Sequence, residues 1–203
     1  MARDPDRRQT IITGASKLFL LHGYDAVTVD KICSQTDSAK GSFYHFFHSK
    51  EDLAIQVVDT IWHETQRRME ETFSNDKTPL ESIREELVLT YTKANTMQGR
   101  SRHFTGSPIG TLSVSMAGRS EKIRKRINFA FTHMRHFYLT AFTEALDNGD
   151  INSPLDANQL ADLLLVTIQG ISIIGRSNNS PARVRKLVAN IMSTFIGDQA
   201  PGS

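Results

Sequence analysis

One cysteine, Cys33, stands in 203 residues. A lone thiol closes no internal disulfide and supplies no cysteine-rich metal framework. Long apolar runs are missing too. Stretches such as Leu163–Ile168 fall far short of the roughly 20 apolar residues that a bilayer-spanning helix needs. No apolar run follows the charges of Met1-Ala2-Arg3-Asp4-Pro5-Asp6-Arg7-Arg8, so no secretory signal is visible and a reducing cytoplasm is the expected setting. Nowhere do apolar and polar residues alternate strictly, as half-buried strands require. A Gly-x-Ser-x-Gly elbow and a phosphate-cradling glycine loop are both absent. Glu70–Glu71 and Glu85–Glu86 are adjacent in sequence, so each pair diverges on a helix and forms no catalytic carboxylate dyad. His133 and His136, even joined by His103 or His63, lack a carboxylate at ligand spacing. Neither a metal nor a cofactor is expected, and no membrane.

What is there is ordinary globular material, 39% hydrophobic and 23% charged. The net charge of +2 sits entirely in residues 1–50, leaving the remainder neutral. Helix punctuation is frequent. Gly23 ends a first helix over 7–22, and short helices over 29–36 and 39–45 precede a longer one over 50–74. Thr78-Pro79-Leu80-Glu81 reads as a capping box with proline at the first helical position, followed by the stripe Ile83, Leu87, Tyr91 and Ala94. Ser120 opens a long helix whose Ile123, Ile127, Phe131, Met134, Tyr138, Phe142 and Ala145 share a face, and Gly149 closes it. Asp156, with Gln159 three residues on, caps another. Ser180-Pro181 starts the last, which Gly197 ends. The least regular region is 98–119. The fold class is all-α, with about nine helices.

The penultimate helix is apolar nearly all round: Leu160, Leu163, Leu164, Leu165, Val166, Ile168, Ile171, Ile173 and Ile174. Such a helix must be covered on every side, by its own core or by another subunit. Together with the apolar stripe of the last helix, it predicts a homodimer through residues near 156–177 and 181–197, with Ile171 and Met192 at the contact.

The most specific signal lies near the N-terminus. Thr28 caps a short helix that turns Val29, Ile32 and Cys33 inward, and Cys33 is read as packing. The polar corner Thr36-Asp37-Ser38 is short enough for a helix-turn-helix. The second helix buries Phe43, Phe46 and Phe47 and turns Lys40, Ser42, Tyr44 and His45 outward. Lysine and histidine can donate to guanine acceptors, hydroxyls serve either sign, and tyrosine reaches phosphate oxygens. That is the chemistry of major-groove reading.

Lys40-Gly41-Ser42-Phe43-Tyr44-His45-Phe46-Phe47-His48-Ser49-Lys50-Glu51-Asp52-Leu53 resembles the K-G-[ST]-[LF]-Y-x-[YH]-F-x-S-K-E-x-L signature of the TetR family of bacterial transcriptional regulators. Gly23–Ile32 is similar to that family's lead-in. The usual Gly-Val-Ser before the lysine is Asp37-Ser38-Ala39 here, and His48 replaces a common proline. Gly106-Ser107-Pro108-Ile109-Gly110-Thr111-Leu112 resembles the G-C-P-x-G-x-L motif of one branch, and Gln169-Gly170-Ile171-Ser172 resembles its Q-G stretch. The branch cysteine that senses electrophiles in some members is Ser107 here, so that mechanism does not carry over.

The resemblance implies a DNA-binding head over residues 1–50 and a ligand-binding, dimerisation domain over 51–203. Its expected function is that of a ligand-responsive dimeric regulator, a repressor that a small molecule releases from a pseudo-palindromic operator. Thr28, Lys40, Gly41, Ser42, Tyr44, His45 and Lys50 are the expected contacts to double-stranded DNA. Trp62, Tyr91, Phe104, Ser107, Phe131, Met134, Phe137 and Gln169 are the expected effector contacts. No acidic cluster attends them, which predicts a neutral or weakly anionic, partly hydrophobic effector. The alternative is an all-helical small-molecule-binding protein or enzyme without DNA binding, which the missing catalytic constellation disfavours.

Overall fold

In the computed structural model, which describes residues 5–97, 106–178 and 180–196, there are nine helices and no strand among the described residues. They are α1 (Pro5–His22), α2 (Val29–Gln35), α3 (Lys40–Phe46), α4 (Lys50–Thr72), α5 (Pro79–Met97), α6 (Pro108–Met116), α7 (Glu121–Asp147), α8 (Ala157–Asn178) and α9 (Pro181–Ile196).

Local chemistry sets the ends. Thr78 and Glu81 form the expected reciprocal box: the Thr78 N–H donates to Glu81 Oε2 at 2.8 Å and the Glu81 N–H to Thr78 Oγ1 at 3.3 Å. Asp156 and Gln159 do the same at 3.0 and 2.9 Å. Gly23 and Gly149 follow α1 and α7 at φ 77° and 74°, the left-handed conformation that glycine adopts without steric cost. Gly197 lies outside the described residues. Within the region that reads as least regular, α6 is a real helix that buries Ile109, Leu112 and Met116 at steps of three and four.

The chain divides into two compact units, one of residues 1–64 and 108–130 and the other of 65–107 and 131–203. The first unit's core is Ile11, Ile12, Ala15, Leu18 and Phe19 of α1, with Ile32, Phe43, Phe47, Leu53, Val57 and Leu112 from later elements. In the second unit, α5, α8 and α9 pack on one another. Leu87, Leu164, Ile168, Ile171, Val184 and Val188 are buried there.

Two-sidedness sets α8 apart. Ile171 lies in the subunit's own core, 3% exposed, so it is not at a subunit contact as its sequence setting suggests. The face that turns outward is Leu163, Val166, Ile173 and Ile174, with Val166 67% and Ile173 60% exposed. By length and composition α8 is apolar enough to cross a membrane, although no contiguous run in it is.

Candidate nucleic-acid interface and effector region

The corner between α2 and α3 is built from side chains on α1 inward. Gly14 of α1 leaves space for Thr36: a Cβ there would stand 2.3 Å from Thr36 Cγ2. Thr36 is held in turn, its hydroxyl donating to the Ile32 carbonyl at 2.9 Å. Asp37 then takes a left-handed φ of 46°, and the Ser38 N–H closes the turn on the Cys33 carbonyl at 2.9 Å. Aspartate tolerates this conformation better than most residues, at a modest cost. Arg7 reaches from α1 to donate to the Asp37 carbonyl at 3.0 Å. The departure from Gly-Val-Ser therefore leaves a turn closed by its own hydrogen bonds. Ala39 does occupy the N-cap of α3 without a side-chain cap, where serine would supply one.

On this corner, Phe43 and Phe47 are buried while Phe46 is half-buried beside the His45 ring, 4.9 Å between centroids. Lys40, Gly41, Tyr44 and His45 are exposed and Ser42 is half-exposed. Thr28 caps α2, its Oγ1 accepting from the Lys31 N–H at 3.2 Å. Lys40 is tied across the corner to Asp30 of α2, 2.7 Å between Nζ and Oδ1. The aspartate's hydrogen bond and charge hold the lysine above its ordinary pKa. Asp30 is a residue that the sequence reading passes over, because nothing in one sequence joins positions ten apart across a turn.

Lys50 is engaged within the fold. Its Nζ donates to the Tyr24 and Val27 carbonyls, both at 3.1 Å, and lies 4.0 Å from the Tyr24 ring centroid. An ammonium has three donors, so one remains for a phosphate. Burial, then the charges of Glu51 and Asp25, raise the Tyr24 phenol above its usual pKa. The loop that Lys50 holds is also tied to the end of α6. Arg119 pairs with Asp25 at 2.6 Å, and Ser120 donates to Glu51 in the first turn of α4.

The residues expected to contact an effector fall in both units. Trp62, in the first, is buried with its ring edge-on to Phe129 at 6.3 Å. In the second, Met134 is buried, while Phe131, Phe137 and Ser107 are half-buried. Phe137 lies 5.9 Å from Phe73 and lines a cleft of about 480 Å³ with Ser82, His136 and Thr140; of the expected contacts among the described residues, only Phe137 lines it. Phe104 and the Tyr91 side chain lie outside the described residues.

Two motifs far apart in sequence meet in this unit. Gly106, at φ 68°, sits against α8 where a Cβ would be 2.9 Å from Ser172 Cβ and 3.0 Å from its carbonyl oxygen. Glycine is needed there on both counts. One turn before Ser172, both polar atoms of the Gln169 amide are buried without a partner among the described residues. An amide buried without a partner is costly.

A buried ion pair is the feature sequence reasoning missed. Glu86, 2% exposed, accepts from both terminal nitrogens of Arg68 and from the Tyr138 hydroxyl at 3.1 Å. Burial, then the Glu86 charge, raise the Tyr138 phenol well above its ordinary pKa. Arg68 Nε is buried without a partner among the described residues. Among the described residues, no group of three or more His, Cys, Asp or Glu side chains could hold a metal ion.

Comparison with known proteins decides the family. Residues 11–57 match the bacterial regulatory proteins of the tetR family, and residues 79–190 match the C-terminal domain of LmrA/YxaF-like transcriptional regulators. The chain belongs to the TetR family. This TetR-family protein is 28% identical over 174 residues to the HTH-type transcriptional regulator YxaF of Bacillus subtilis, covering 85% of this chain and 86% of that one. It is 28% identical over 170 residues to the HTH-type transcriptional repressor DhaR of Mycobacterium sp., covering 84% and 82%. A TetR-family regulator from Agrobacterium tumefaciens shares the fold, with a TM-score of 0.85, 16% identity, and coverage of 94% and 98%. The TetR-family chain is thus a DNA-binding transcriptional regulator, and its relatives are regulators rather than enzymes.

Proposed function

We propose that this TetR-family protein is a cytoplasmic repressor that a small molecule releases from a pseudo-palindromic operator. Residues 1–50 serve as its reading head, and residues 51–203 bind the effector and form the dimer. The observation that carries the proposal is the outward face of α3. Lys40, Ser42, Tyr44 and His45 project from a corner whose other side is locked by Phe43, Phe47 and Thr36. Lys40 and His45 take base edges, Ser42 and Tyr44 serve bases or phosphates, and Gly41 adds no side chain between the helix and the groove. Thr28 and the remaining donor of Lys50 position the head on phosphates.

Dimerisation through α8 and α9 covers Leu163, Val166, Ile173 and Ile174, which one subunit leaves in water. Two heads then read half-sites about one helical turn apart, or a simple multiple of it. Gln169, Ser107, Met134, Phe131 and Phe137 attend a mostly apolar effector, with Tyr91 and Phe104 as further contacts. Binding releases DNA only insofar as the ligand favours the arrangement that cannot dock.

The test is a mobility shift with the DNA upstream of the chain's own gene. A retarded band whose affinity falls steeply with salt supports the reading. A chain that is folded and dimeric yet shifts neither this duplex nor random-sequence DNA contradicts it.

A further inference from the structure

The first turn of α2 carries a carboxylate on the side of the head that faces DNA under the proposed reading. Asp30 and Lys40 are 67% and 63% exposed at their side chains and meet at 2.7 Å. Helix dipoles bear on each residue alone. An acidic residue in the first turn suits the dipole of α2, and a lysine at the first position of α3 is unfavourable beside that helix's own dipole. Neither explains why the two are joined. The pair has one consequence for any polyanion that approaches: the lysine's charge is already compensated, so a phosphate that takes one of its two remaining donors also meets the charge of the Asp30 carboxylate.

From this we infer that Asp30 is a positioning and specificity residue, which sequesters Lys40 until a base edge in correct register draws it off. The inference rests on the proposed reading of Lys40 as a DNA contact. On random-sequence DNA the pair stays closed, and Lys40 releases no counterion. On the operator, guanine N7 and O6 offer two acceptors together, a better partner than one phosphate oxygen. Asp30 therefore penalises non-specific more than specific binding. An exposed ion pair is weak enough to open for this purpose and strong enough to matter.

The experiment uses two labelled duplexes, one from upstream of the gene and one of random sequence, titrated over a range of KCl. Asp30→Asn should bind the random duplex about two- to five-fold tighter, as expected for losing a surface ion pair. Its log affinity against log salt should steepen by about 0.9, one phosphate's share. Asp30→Glu should restore wild-type behaviour. Asp30→Asn/Lys40→Ala should return to the Lys40→Ala value, because without Lys40 there is nothing to release. A purely helix-stabilising aspartate would shift the melting temperature and leave the salt slope alone. Lys40→Ala on the upstream duplex separates the two failures. If it weakens binding there while Asp30→Asn leaves the random duplex unmoved, the sequestration is wrong and the reading of α3 stands. An equal gain from Asp30→Asn with and without Lys40 also overturns it, since Asp30 then acts by its own charge. If Lys40→Ala changes nothing on the upstream duplex, Lys40 is no DNA contact, and the sequestration falls together with that assignment of Lys40.

Discussion

Substituting Gly14 by alanine should damage the reading head from a position that touches no DNA. Helix propensity alone favours the change by about 1 kcal/mol at a helix interior. Packing opposes it. The new methyl would stand 2.3 Å from Thr36 Cγ2, where carbon atoms normally settle at about 3.5–4.0 Å. Thr36 cannot swing aside cheaply, being 7% exposed and donating to the Ile32 carbonyl. Overpacking of this severity belongs near the top of the usual range, about 3 kcal/mol. The net is a loss of about 1–2 kcal/mol, or roughly 2–8 °C in Tm for a chain of this length. Thr36→Ser removes the opposing methyl at a cost of about 1 kcal/mol. Gly14→Ala/Thr36→Ser should therefore come back close to the wild type, the propensity gain offsetting the lost methyl. Thermal melts followed by circular dichroism measure all four chains. A Gly14→Ala chain more stable than the wild type, or a double variant whose losses simply add, would refute the packing account.

Three further outcomes follow from separate parts of the molecule. Ala39→Ser should stabilise the head by about 1 kcal/mol, because the Ala39 backbone has the extended conformation of an N-cap without its hydroxyl; urea melts should show a raised midpoint at unchanged slope. Val166→Glu or Ile173→Glu should yield folded monomers by light scattering, whereas Ile171→Glu should fail to fold, since its side chain lies in the subunit's own core. Tyr138 is raised from an ordinary value of 10.0, so its contribution is complete below about pH 10 and lost as pH rises beyond it, when the unfolded phenol ionises first. Tyr138→Phe should accordingly show a smaller fall in Tm than the wild type between pH 9 and pH 11, and an identical fall would contradict the buried Tyr138–Glu86 arrangement.

Local chemistry made most of the fold legible. The boxes at Thr78–Glu81 and Asp156–Gln159 and the stops at Gly23 and Gly149 depend on residues within one or two turns, and all four form as their spacing predicts. The outward set on α3 is equally local, since burying Phe43 fixes which residues face away. Pairings across long separations left no such trace. Glu86 sits beside the buried stripe of α5, and its partners lie 18 residues before it and 52 after it. An apolar helix covered on all sides does not say which half belongs to its own core, so Ile171 and Val166 look alike until α5 and α9 are in place. Lys50 reads as a phosphate contact because lysines near a helix-turn-helix usually serve DNA. That two of its three donors go to backbone carbonyls depends on the path of the loop after α1.

The central claim is that the exposed face of α3 reads DNA. Its most direct test is fluorescence anisotropy of a duplex from upstream of the gene, titrated with wild type, Lys40→Ala and His45→Ala, with random-sequence DNA as competitor. His45→Ala should lose about 1–3 kcal/mol of preference for the upstream duplex while its helix content and melting stay those of the wild type. Lys40→Ala should bind that duplex more weakly and lose part of its preference over the random-sequence competitor, as for a residue that takes a base edge. Unchanged affinity and competition in both variants would contradict the claim.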